Sequence, residues 1–318
     1  MMKLETRTHA ATKRGNNLAL RASVSRAGVV SFTLFFVAIA SIAYFTTCSI
    51  TLAQRRSGAH SAAASFTPAD RASVERAIGT ACAERTRDPL GSLPIDEMQA
   101  RPSLPVNNPD AVAGTRRADR LLPSTRKFVA EAIVRLAKDY DLYDSPAARL
   151  RVNTATARVQ AVKRIRPDVD ARDNASVLLR EPRTIEFGTI FLAGLRSDEA
   201  MTSVLAHELT HVASGQTESL RPLFHAVGQR AATRTGLRIQ GQRAEELVCD
   251  LIGLMVAREF IRQNPGWEPL RQRLARAVEH NCVDNDSSDE DHLSPRNTIR
   301  AMLAIDLSFV RELLSTTN

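Results

Sequence analysis

From Ala27 to Gln54 the chain carries no charged residue, and the apolar run that opens at Val29 continues with few interruptions to Leu52 and Ala53. Roughly 20 helical residues cross the hydrocarbon of a bilayer, so this pattern predicts one transmembrane helix over 27–54. After it the periodicity becomes helical and intermittent. Thr67-Pro68-Ala69-Asp70 offers a cap and a proline at N1, with Val74, Ile78, Ala81 and Cys82 on one face of a short amphipathic helix. Pro89, Pro94, Pro102, Pro105 and Pro109 then forbid long regular elements, so 55–122 reads as a stalk or cover. Ser124 can cap a helix to about Tyr140, with Phe128, Ala132, Ile133 and Leu136 at helical spacing.

Between Leu150 and Phe191 the pattern turns β-like. Candidate strands are 151–154, 158–162, 176–179 and 184–187, separated by Pro167-Asp168 and Asp173-Asn174. Alternation of polar and apolar positions in Thr184 to Phe187 suits an edge or half-exposed strand. Ser197-Asp198-Glu199 then opens a helix that Gly215 is placed to end. A second apolar helix carries Ala244 to Gly253, and an acidic loop, 284–291, precedes a last amphipathic helix. That loop lacks the glycine and the final glutamate of a calcium-binding EF-hand. The fold class predicted is α+β, mostly α, with one small sheet.

Composition narrows the function classes. The chain has 318 residues, 43% of them hydrophobic, enough for a buried core. Its net charge is +8, but the excess is arginine spread along the whole length with only 5% aromatics, which argues against a nucleic-acid partner. Lys3, Arg7, Lys13, Arg14, Arg21 and Arg26 precede the apolar run, opposed by Glu5 alone. The positive-inside bias therefore makes 1–26 a basic cytoplasmic tail and puts everything after residue 54 outside the cytoplasm, in the periplasm of a bacterium. A cleaved signal is the rival, with Ala62-Ala63-Ala64 for a late cut, and an Arg-rich, acid-poor transit peptide would instead put the anchor in the mitochondrial inner membrane. Cys48, Cys82, Cys249 and Cys282 show no C-x-x-C spacing, so a thiolate zinc knuckle is excluded. Cys82 and Cys282 either pair or remain two buried thiols.

Chemistry concentrates in Ala206-His207-Glu208-Leu209-Thr210-His211, an H-E-x-x-H sequence on a helix. His207 and His211, four apart, share a face and can reach one ion. A metal reading requires a third ligand, and Glu246 with Asp250, again four apart on an apolar helix, supplies one. The expected site is one Zn²⁺ per chain held by His207, His211 and Glu246, the three-ligand arrangement of catalytic zinc. Asp250 would accept the other ring N–H of a ligand histidine. Glu245 is the alternative ligand, less favoured because only Glu246 has an acid one turn later. Glu208 is the candidate general base. His225 reads as packing or cover.

These motifs, together with Thr189 to Leu195 just before the helix, resemble the gluzincin metallopeptidases, specifically the membrane-associated M48 class. The resemblance covers about residues 125 to 310. It implies a peptidase domain over 123–318, mostly helical, whose small sheet offers an edge strand, expected at Thr184 to Phe187, to the backbone of a protein or peptide substrate. It also implies a His-Pro motif followed by Arg, which here departs to His292-Leu293-Ser294-Pro295-Arg296. His292 could donate to the tetrahedral oxyanion or occupy the open metal position as a self-inhibiting ligand. The expectation is a membrane-anchored zinc endopeptidase acting on misfolded or membrane-associated proteins. The alternative is a catalytically silent holdase or partner-binding protein of the same fold with a structural zinc.

Overall fold

The computed structural model describes residues 66–85, 90–172, 174–177, 181, 183–215, 218–283 and 288–315. All belong to one compact unit, His60–Asn318; the other unit, Met1–Ala59, lies outside the described residues, as does the apolar run 27–54. Among the described residues no helix is long and apolar enough to cross a membrane. On that finding the expected localisation, a single-pass membrane protein with its C-terminal part outside the cytoplasm or in the mitochondrial inner membrane, is corrected and withdrawn.

The elements run in the order α1 (Pro68–Arg85), α2 (Ile95–Ala100), α3 (Pro109–Asp139), α4 (Pro146–Ala161), β1 (Arg164–Asp168), β2 (Ala175–Val177), β3 (Thr184–Gly188), α5 (Thr189–Gly194), α6 (Asp198–Ser214), α7 (Arg221–Thr235) and α8 (Gln242–Gln263). Then come α9 (Leu270–Arg276), a 3₁₀ turn (Glu279–Asn281), α10 (Pro295–Ile305) and α11 (Leu307–Leu314). The unit is mostly helical with one three-stranded sheet, as the pattern predicts.

Helix α6 is the centre. It is buried nearly all round, packed by α3, α4 and α8, because its sequence has apolar or small residues on every face. Leu205 and Leu209 are fully covered, each contributing about 2 kcal/mol. The Ser197 hydroxyl caps it, accepting from Ala200 N at 3.1 Å, and the helix ends at Gly215 with φ +56°. The close approach of α6 and α8 depends on Gly253: a Cβ there would stand 2.7 Å from the Ser203 carbonyl oxygen.

Two predicted elements change. The β-type stretches 151–154 and 158–162 fall on α4, the second reaching its C-cap Val162; the helix is started by Pro146 behind a Ser145 cap, with Val152, Ala155 and Val159 buried on one face. Their β-branched residues look strand-like, but burial at a helical repeat decides. The helix expected from Ser124 begins earlier, at Pro109 behind an Asn108 cap, and continues through Pro123. The boundary drawn at 122/123 therefore falls inside α3. Helix α1 forms as expected, with Thr67 and Asp70 exchanging capping hydrogen bonds, and Val74, Ala77, Ile78 and Ala81 sit in the core against α9, α10 and α11. Cys82 and Cys282 form a disulfide across a sequence separation of 200, which stabilises the fold by about 2–5 kcal/mol through the loop it closes.

The sheet order is β1-β3-β2, with β1 parallel and β2 antiparallel to β3. Thr184 to Phe187 is thus the central strand and not the expected edge. Its polar residues alternate yet are buried, because Arg164 Nε donates to Thr184 Oγ1 at 3.1 Å and Arg166 Nε to Glu186 Oε1 at 2.9 Å. The strand exposed along one side next to α6 is β2.

Candidate metal centre

Antiparallel packing of α6 on α8 brings two helix faces into register: Ser203, His207 and His211 on one helix face Gly253, Asp250 and Glu246 on the other. Glu246 Oε2 lies 3.2 Å from His207 Nε2 and 3.4 Å from His211 Nε2, and the two Nε2 atoms are 3.2 Å apart. Three donor atoms from three predicted ligands thus form a nearly equilateral triangle. Each imidazole is held from behind by its own carboxylate, Asp250 Oδ1 at 2.8 Å from His207 Nδ1 and Glu245 Oε1 at 3.1 Å from His211 Nδ1. This fixes both rings with Nε2 forward. Glu245, weighed as a rival ligand in the sequence, orients the second histidine instead. Gln242 Nε2 donates to the remaining Glu246 oxygen at 2.7 Å.

Cys249 is the residue sequence reasoning passed over, and its place one turn from Glu245 and Glu246 was the available signal. His207, His211 and Cys249 could together hold a metal ion, with ligand atoms within 4.8 Å of one another. The two donor sets differ in accessibility. Cys249 is fully buried and its sulfur lies 3.8 Å from His211 Nδ1, the nitrogen already engaged by Glu245. Burial also pushes its thiol up, away from the thiolate that metals require. The Nε2 side opens on a cleft of about 710 Å³ lined by Ser176, Val177, Glu208, Glu218 and His292. The Nε2 triangle is thus the donor set that faces the cleft.

The cleft is acid-rich, and among the described residues no Lys or Arg lines it. Burial acts to raise the Glu246 carboxyl, but hydrogen bonds from His207 and His211 outweigh it and hold the group well below the usual carboxylate range. Burial raises Glu208 above its ordinary value of 4.5. His292, on the loop before α10, reaches the same place: its Nε2 is 3.9 Å from Glu246 Oε2 while Nδ1 lies 3.0 Å from Asp289 Oδ1. Its side chain is 58% exposed. His225, read as packing or cover, is exposed on α7 and lines a neighbouring cavity. The site thus unites His207, Glu208, His211, Glu246, Asp250 and His292.

No protein-family model matches the chain, and no curated protein or solved structure does either.

Proposed function

We propose that the protein is a zinc-dependent endopeptidase of the gluzincin kind, with His207, His211 and Glu246 as ligands and Glu208 as general base. The Nε2–Nε2–Oε2 triangle carries this reading. Zinc bonds of about 2.0–2.2 Å put tetrahedral neighbours roughly 3.3–3.6 Å apart, and the observed edges are 3.2, 3.2 and 3.4 Å. Two nitrogens and one oxygen are also the donors zinc takes in open sites. Bound there, zinc polarises a substrate carbonyl and lowers the pKa of water to about 7.

The remaining work belongs to the chain. Glu208 takes a proton from the attacking water and passes it to the leaving amine, a role suited to a carboxyl raised by burial. Asp250 and Glu245 hold the imidazoles in one tautomer. His292 donates to the charge that develops on the carbonyl oxygen. The outer edge of β2 hydrogen-bonds the backbone of an extended substrate beside the cleft.

The test compares wild-type full-length protein with Glu208→Gln for zinc content and for cleavage of an unfolded protein. Equal zinc and a fall of about 10²–10⁴ in rate are expected. Equal rates would sink the mechanism, and zinc retained without cleavage in either protein would favour a partner-binding role.

A further inference from the structure

Beside the metal cleft lies a second cavity of about 1080 Å³, and Glu218 and Glu245 line both. The two therefore adjoin. The second follows α7: Arg221, His225, Gln229 and Thr233 line it at four-residue intervals, so it extends along one helix face for three turns. At about 1.5 Å per residue that is roughly 18 Å, the length of about five extended residues at ~3.3 Å each. Gln240 and Gln242 stand on the opposite wall, and Gln242 also bonds the ligand Glu246. Close packing of Gly228 on Ala244, where an added Cβ would come within 2.7 Å, joins α7 to α8 beneath.

The lining is mixed: Phe224 and Ile239 give it an apolar part, and Gln229, Thr233, Gln240 and Gln242 give it hydrogen-bonding groups. Glutamine amides and a threonine hydroxyl can each donate and accept, which suits a polypeptide backbone presenting one N–H and one C=O per residue. The volume sits at the top of the roughly 300–1,000 Å³ range of small-ligand pockets. We propose that this groove is a substrate subsite holding about five extended residues of an unfolded polypeptide on one side of the scissile bond. This rests on the peptidase reading and adds to it the substrate class: an extended, unstructured chain rather than a short peptide.

A length series tests it with the full chain and zinc present. One cleaved sequence is made as peptides retaining from two to eight residues on each side of the bond. Extension on one side should raise kcat/KM by on the order of tenfold and level off near five residues, since remote contacts then assist the bond being broken. Gln229→Trp and Thr233→Trp, both at exposed positions of α7, should erase that gain while leaving zinc content and cleavage of the shortest peptide unchanged. Shortest-peptide cleavage reports folding; should either variant lose it, Gln240→Trp on the other wall decides. A flat length dependence in the wild type, or a full gain in the filled variants, overturns the proposal and leaves the peptidase reading intact. Absence of any zinc-dependent cleavage overturns that reading itself.

Discussion

The two ends of α6 each bury charge, and they do it in opposite ways. In its first turn Glu199, 4% exposed, accepts from Arg273 Nε at 2.6 Å and has Arg276 at 3.8 Å, while Arg276 also holds Glu268 at 2.7 Å. Two permanent cations face two acids there. Three turns further on, Glu208, Glu245, Glu246 and Asp250 surround two imidazoles that carry charge only when protonated. A buried acid cluster without permanent cations costs several kcal/mol unless something positive completes it. The first cluster is completed by the chain itself; the second, on the reading proposed above, would be completed by a divalent ion.

The strongest way to break that contrast is to remove the shared ligand. Glu246→Ala should reduce zinc affinity by more than the ~10–100-fold expected for loss of an outer partner, and abolish cleavage. Chelator competition measures it, and unchanged affinity would mean the triangle is not the site. The opposite end should respond in stability instead. Glu199→Gln leaves Arg273 and Arg276 buried beside a neutral amide and should cost about 3–5 kcal/mol in denaturant unfolding, with zinc affinity of the folded protein unaltered. A loss of zinc affinity there would show the two clusters to be coupled through the helix.

What the sequence could reveal follows the same division. The clustering of the candidate site residues was legible because each motif lies within one helix, where a spacing of four fixes a shared face regardless of the rest of the fold. The central position of β3 was not, since Thr184 and Glu186 look solvent-facing until Arg164 and Arg166 arrive from a parallel strand. Helix α4 was misread for a related reason: Val152, Thr154, Val159 and Val162 are strand formers by propensity, and packing against α3 and α6 overrides it. The role of Glu245 needed the register of α8 on α6, which no local pattern supplies.

That role sharpens the comparison. Glu245→Ala and Asp250→Ala should each weaken zinc by about 10–100-fold without abolishing it, because the ligand ring loses its fixed tautomer and not its donor atom. Glu245→Gln, which keeps an oxygen acceptor for His211 Nδ1, should recover part of the loss. If Glu245→Ala matches Glu246→Ala, Glu245 is itself a ligand.

The smallest effect belongs to a pair that neither end of α6 resembles. Glu75 on α1 accepts from Arg300 Nε of α10 at 2.5 Å, with the two side chains 39% and 28% exposed. The hydrogen bond from Arg300 lowers the Glu75 carboxyl below its ordinary 4.5. A carboxyl depressed in the folded state stabilises that state above its unfolded value and loses the contribution as pH falls through the folded value, here below 4.5. Glu75→Gln should therefore cost about 0.2–1 kcal/mol at neutral pH, with solvent screening already counted. The difference between variant and wild type should shrink at high salt and vanish in strong acid. The Glu199→Gln penalty should survive the same salt, because water and ions do not reach a buried pair. Equal salt sensitivity of the two substitutions would show that the Glu199 cluster is solvated, and the contrast between a cluster the chain completes and one it leaves to an ion would lose its first member.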